Sequence, residues 1–222
     1  MHLEVLVEDA SGKILLDEHL LPKILGAQGE NHTWRVIPYK GVGRLPKNLQ
    51  TSGDPAKRIL LEQLPRLLRG YGRTPGIDAV VVVVDNDKRD CVQFLSELTG
   101  LLASCDPAPN TLFRLAIEEV EAWYFGDRDA LLAAYPQAKV RVLDEYVQDS
   151  LCDTWEKLAD AIHPGGRSII KKIGWPESGE VKCRWAEQIG PKMAIERNCS
   201  PSFRKFYDGL LRLTGTTINR SE

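Results

Sequence analysis

Two short apolar runs, each closed by acid, constrain this chain more than anything else in it. Leu3 to Val7 is followed at once by Glu8, and the valine run Val80 to Val84 by Asp85, with Asp87 two residues further on. Unbroken valines fit a central strand covered on both faces, which is the situation of strands in a parallel sheet. A parallel α/β sheet places its chemistry just beyond the carboxyl ends of its strands. Glu8, Asp85 and Asp87 are therefore expected to share one crevice, and three acids in one crevice suggest a bound divalent metal, Mg²⁺ or Mn²⁺, which favour hard oxygen ligands.

The spacing of the other apolar residues supports that frame. Lys13 to Leu25, Ala56 to Leu68 and Cys91 to Leu102 have helical periodicity, and Thr33 to Tyr39 and Thr111 to Ile117 read as strands. Glu118 to Phe125 is expected to begin a further helix. The order β-α-β-α-β-α-β predicts a mostly parallel, Rossmann-like α/β sheet flanked by helices over residues 1–127. Beyond Asp127 the alternation stops. Ala130 to Tyr135 and Thr154 to Ile162 read as helices, while His163-Pro-Gly-Gly and Trp175-Pro-Glu-Ser-Gly179 read as breakers. Ser200 before Pro201 reads as the cap of a last helix carrying Phe203, Phe206, Tyr207, Leu210 and Leu211. Residues 128–213 are thus a C-terminal helical extension packed on the sheet, and 214–222 a flexible tail.

Composition narrows the class. With 222 residues, 43% of them hydrophobic, the chain can build a substantial core and is not of disordered composition. Its longest apolar stretch, Ala79 to Val84, is far too short to span a bilayer, and Met1-His2-Leu3-Glu4 is not a charged leader before an apolar segment. A cytoplasmic protein without a membrane partner is expected. The five cysteines are widely spaced and form no Cys-x-x-Cys pair, so they read as buried free thiols rather than a disulfide framework or a zinc knuckle. The net charge of −2 hides segregation: residues 1–34 and 78–162 are acidic, and 35–77 and 163–222 are basic. Ordinary solvated faces give the same segregation, but so does a metal held beside the phosphates of a polyanion.

At the site, Asp85 and Asp87 can converge whether the strand continues or ends, since residues two apart share a strand face. Glu118 and Glu121 stand one helical turn apart and point to one side, with Glu119 projecting into solvent. Glu121 borders the apolar residues Ile117, Val120 and Tyr124, so it needs a partner, whether a metal, a hydrogen bond or an ion pair. Asp87 or Asp90 can instead cap the following helix, and Asp9 reads as a turn residue. Lys40 and Arg44, flanking Gly41 and Gly43, and Lys88 are candidates for phosphate binding, although the loop lacks the Gly-Lys-Ser/Thr ending of a P-loop. Lys171, Lys172, Lys182 and Arg184 form either a phosphate track or a solvated face. The tryptophans read as core or cap residues, not stacking platforms.

An apolar strand ending in Glu8, followed two α/β units later by one ending in Asp85-Asn-Asp87, resembles the Toprim fold of topoisomerases, primases and OLD-type nucleases. More narrowly, Ala116-Ile-Glu118-Glu-Val-Glu121-Ala-Trp-Tyr-Phe-Gly-Asp127 and Ser200-Pro-Ser-Phe203 are similar to the Toprim-like family DUF4276. A departure is Asp9, where Toprim proteins commonly have glycine. The resemblance implies a metal-dependent nuclease or other phosphoryl-transfer protein acting on DNA or RNA. In it Glu8 is a ligand or the general base; the candidate catalytic residues are Glu8, Asp85, Asp87 and, from its spacing, Glu121, and the candidate metal ligands are Glu8, Asp85, Asp87 and, from its spacing, Glu118. It also implies a setting in phage defence or beside an ATPase, which would be another chain because no ATPase motif is present here. Assembly with further copies of the chain is compatible with all of this. Two other readings compete. Val-Val-Asp85-Asn-Asp87 also resembles the nucleophile motif of haloacid-dehalogenase-like phosphatases, though Arg89 replaces the usual small hydroxyl. A catalytically silent module, its acids docking on a partner's basic surface, is the third.

Overall fold

The valine run is the central strand. In a computed structural model describing residues 1–46, 53–151 and 153–216, four strands, β1 (His2–Val7), β2 (Thr33–Pro38), β3 (Ala79–Asp85) and β4 (Thr111–Ala116), form one parallel sheet in the order β2-β1-β3-β4. Leu3 pairs with Ala79 and Val7 with Val83, while Asp85 pairs with Ala116. The fold is α/β and Rossmann-like. Sheet order reverses between β1 and β3, the kind of switch point where doubly wound sheets open a crevice.

Strand alternation divides the interior in two. Leu3, Val5, Val7, Ala79, Val81 and Val83 face one core, and Leu6, Val80, Val82 and Val84 the other. The second core is closed by α3 (Leu60–Tyr71), through Leu60, Leu64 and Leu68, and α4 (Cys91–Ala103), through Phe94, Leu98 and Leu101. The first takes in α1 (Ala10–Ile14), a π-helical stretch Leu15–Leu20 and α2 (Leu21–Leu25). It then continues without a break into the C-terminal half.

That half contains α5 (Ala122–Phe125), α6 (Arg128–Ala134), α7 (Val140–Asp144), α8 (Thr154–Ile162), α9 (Gly166–Ile173), α10 (Glu177–Ile189) and α11 (Pro201–Thr214). Trp123 stacks on Phe206 at 5.1 Å between ring centroids and meets Phe203 edge-on at 5.6 Å. Ser200 caps α11 by accepting the Phe203 N–H, as its sequence predicts. Ser202 Oγ accepts the Trp123 indole N–H at 3.0 Å, and the Asp149 carboxylate takes both Ser202 N–H and Ser200 Oγ–H. Ser200-Pro-Ser-Phe203 is thus a structural lock between α11 and the rest of the core.

Three expectations need correction. Glu118 to Glu121 is a turn, and the helix starts only at Ala122. Helix α3 begins at Leu60 rather than Ala56, because Pro55–Lys57 is a separate 3₁₀ turn and Arg58 adopts a left-handed backbone (φ 54°). Trp175 to Gly179 does not break the chain throughout: Pro176 leads directly into α10, a position where its fixed φ suits a helix start. Most of the expected tail, 217–222, lies outside the described residues. Among the described residues no helix is long and apolar enough to cross a membrane.

Candidate functional site

Parallel pairing brings the ends of β1 and β3 side by side, so Glu8 and Asp85 are neighbours. Glu8 accepts a hydrogen bond from the Asp85 backbone N–H, while its Oε2 is buried without a partner. Asp85 continues the Val81-Val83 face and turns toward the C-terminal helices, where its Oδ1 accepts the Val120 N–H at 3.0 Å. That bond docks the Glu-rich turn on the end of β3, as do Asn86 N–H to Ala116 O and Asp87 N–H to Glu118 O.

Glu118 has a left-handed backbone (φ 59°), and this reverses the side-chain directions a helix would give. Its two carboxylate oxygens accept the N–H groups of Asp153 (3.0 Å) and Thr154 (2.9 Å) and the Thr154 hydroxyl, tying down the start of α8. The expectation that Glu118 joins Glu121 is therefore corrected: Glu118 holds the extension in place. Glu119, expected in solvent, is instead tucked under α8, where its Oε2 accepts the Trp155 N–H at 2.8 Å. Glu121 is buried and pairs with the Lys182 ammonium at 3.0 Å.

Lys182 comes from α10, and its Nζ also lies 5.6 Å from the Trp155 ring centroid. Expected on a phosphate track or a solvated face, it is instead a largely buried counterion, its side chain 22% exposed. One signal was available, since Lys182 shares a helical stripe with Trp185, Ala186 and Ile189, all buried.

The electrostatics follow from crowding carboxylates in a largely buried crevice. Burial, reinforced by the charges of Asp9 and Asp87, pushes the Glu8 carboxyl up to about 7, against the opposing pull of Lys182 and the Asp85 N–H. Burial and the neighbouring Glu121 raise Glu119 to about 8. Asp85 is raised well above the ordinary range by burial and then by Glu8, Glu121 and Glu119. Burial works against the charge of Lys182, but Glu121, Glu119, Asp9 and Asp85 outweigh it and keep the ammonium protonated.

The remaining candidates lie at the rim. Asp87, at φ 50°, leaves the strand path and is exposed, close enough to repel Glu8 yet 3.4 Å from Arg89 Nη2. The same Arg89 nitrogen donates to Gly43 O, tying this turn to the glycine loop. Gly43 itself has φ 66°, and a Cβ there would lie 2.1 Å from Ile59. Lys88 is engaged with Asp153 at 3.7 Å, whereas Lys40 and Arg44 are exposed on the loop. Asp9 caps α1 through the Gly12 N–H, and Asp90 caps α4 through the Gln93 N–H.

Between these groups lies a cavity of about 20 Å³, lined by Glu8, Asp9, Asp85 and Glu121 with Val7, Val83 and Gly12 beneath them. That is room for one water-sized occupant. Among the described residues no three His, Cys, Asp or Glu side chains converge as a metal-ligating group. The crevice thus combines adjacent strand-end carboxylates, carboxyls able to hold protons near neutral pH, and one internal cation.

No curated protein and no solved structure matches the chain. A family model described as a domain of unknown function, DUF4276, matches residues 7–211, a span running from the strand-end acids through the Glu-rich turn to the last helix. The chain belongs to the DUF4276 family.

Proposed function

We propose that this chain is a Toprim-like, divalent-metal-dependent phosphoryl-transfer enzyme, a nuclease acting on nucleic acid. The observation that carries the reading is the pairing of Glu8 and Asp85 at the ends of adjacent parallel strands, at the point where sheet order reverses, with Glu119 and Glu121 beside them. The site fits Mg²⁺ or Mn²⁺ in donor type, since its donors are carboxylate oxygens, and in room, since Glu8 Oε2 is buried without a partner beside a water-sized cavity. Glu8 and Asp85 would hold the metal from the cavity wall, and Asp87, which stands at the rim 3.4 Å from Arg89, would have to swing inward to complete the set. When bound it would stabilise charge on a phosphate and make a water nucleophilic.

The other groups have roles set by their surroundings. Lys182, fixed as an ammonium by its acidic neighbours, places positive charge at the crevice and orients Glu121. Glu119 accepts the Trp155 N–H through Oε2, and burial beside Glu121 lets its carboxyl hold a proton near neutrality, which lowers the negative charge packed behind the crevice. Gly12, in the cavity floor, leaves space under the carboxylates.

The test is cleavage of labelled DNA and RNA with Mg²⁺, with Mn²⁺ and with chelator, alone and with a candidate ATPase partner. Cleavage should need the metal and disappear in Glu8→Gln and Asp85→Asn, which remove charge at nearly constant volume. Metal-dependent cleavage that survives Asp85→Asn and Asp87→Asn would reject the assignment. Phosphate release from small monoesters, with covalent capture at Asp85, would instead identify a phosphatase.

A further inference from the structure

Beside the carboxylate crevice runs a much larger groove of about 1070 Å³. One wall is the segment after β2, where the Lys40 N–H donates to Arg58 O at 2.8 Å, so that two exposed cationic residues lie on the same wall, the Arg58 guanidinium donating to Pro38 O at 2.6 Å. The other wall is α10, which contributes Arg184, with Trp175 in the turn just before it. Asp9 and Ser11 line both the groove and the small cavity, and Lys182 reaches the groove from the carboxylate cluster, so the two are continuous. Glu180 and Glu187 also line the α10 wall, which leaves the positive charge concentrated on the Lys40–Arg58 side.

Trp175 is the unexplained group. Trp34, Trp123 and Trp185 are buried and Trp155 is half-buried, but Trp175 is 79% exposed. It sits beside Gly179, where a Cβ would only touch the indole edge at 3.7 Å. An exposed aromatic ring on one groove wall with cations on the other is the combination that binds single-stranded nucleic acid, because cations track the backbone while unstacked bases stack on the ring. A duplex keeps its bases stacked inside and offers no face to such a ring.

We infer that this groove receives single-stranded nucleic acid, with a base stacked on Trp175, phosphates along Lys40 and Arg58, and the strand leading to the carboxylate crevice. The inference rests on the nucleic-acid reading above and specifies its substrate. The test separates the two by measuring binding in chelator, where no cleavage intrudes. The full chain is titrated with fluorescein-labelled oligothymidylate and oligouridylate of about 20 nucleotides and with a duplex of equal length, following anisotropy and tryptophan emission. Single strands should bind at least tenfold tighter than duplex, quenching indole emission. Trp175→Ala should weaken binding by about tenfold and abolish most of the quench, while Trp175→Phe restores affinity but not the quench. Lys40→Ala with Arg58→Ala should flatten the dependence on salt, and Arg141→Ala, on α7, should change nothing.

Equal affinity for single strand and duplex, no binding to any oligonucleotide at low salt, or unaltered binding by a folded Trp175→Ala variant would each overturn the groove assignment. Metal-dependent, Asp85-dependent cleavage alongside Trp175-independent binding would overturn the groove alone. Trp175-dependent binding of single strands without metal-dependent cleavage would uphold the groove and sink the nuclease reading.

Discussion

Lys182 Nζ lies 3.0 Å from Glu121 Oε1, so an ammonium from the C-terminal extension is inserted among carboxylates presented by the strand ends and by the turn after β4. The pair links the two halves of the chain at the site itself. It also supplies a cation to a cluster that would otherwise repel itself apart.

Removing that cation should be costly. Lys182→Met should destabilise the protein by about 2–4 kcal/mol, somewhat below the cost of breaking a fully buried pair because the side chain retains some exposure. Glu121→Gln in the same background should recover part of the loss, since it relieves the uncompensated charge. Urea unfolding of the two single variants and the double variant measures the coupling. Additive losses would mean the pair contributes nothing beyond its parts.

The pH dependence has a defined sign. Glu8 at about 7 and Glu119 at about 8 both stand above the ordinary 4.5 of a glutamate, so the folded state binds their protons more tightly than the unfolded chain does. Their contribution to stability is full below about 4.5 and is lost as pH rises through about 7 and then about 8. Thermal melting of chelated protein should therefore fall from mildly acidic to mildly alkaline pH. Glu119→Gln, which can still accept the Trp155 N–H, should flatten the upper part of that fall.

Divalent metal should act in the opposite sense, because it competes with the same protons. Mn²⁺ or Mg²⁺ should raise the melting temperature, more at pH 8 than at pH 6, by an amount equivalent to about 2.7 kcal/mol at a hundredfold excess over Kd. Glu8→Gln and Asp85→Asn should abolish the shift. A melting curve indifferent to metal at both pH values would count against a loaded site.

Glu118 should behave as a support rather than a ligand. Glu118→Ala leaves the Asp153 and Thr154 donors without their acceptor and should cost about 1–3 kcal/mol. Glu118→Gln, with one accepting oxygen in place of two, should cost less. In both, the metal-induced shift in melting temperature should persist; its loss in Glu118→Gln would place this side chain in the ligand set after all.

Much of the architecture was legible in the chain itself. The valine run admits little besides a strand buried on both faces, and the apolar spacing on either side of it makes the connections helical, so parallel pairing follows. That places Glu8 and Asp85 at one edge of the sheet, because both close their strands. Ser200-Pro201 likewise determines the start of the last helix locally. Tertiary structure alone decided which acids of the Glu-rich segment enter the crevice: a left-handed residue at Glu118, docked on the end of β3 through Asp85 and Asp87, replaces the helical directions that periodicity predicts. It also decided that Lys182 is buried against Glu121 while Trp175, in the turn just before the same helix, stays in solvent. Periodicity describes one element at a time, whereas the charge and exposure of a side chain depend on what the rest of the fold packs against it.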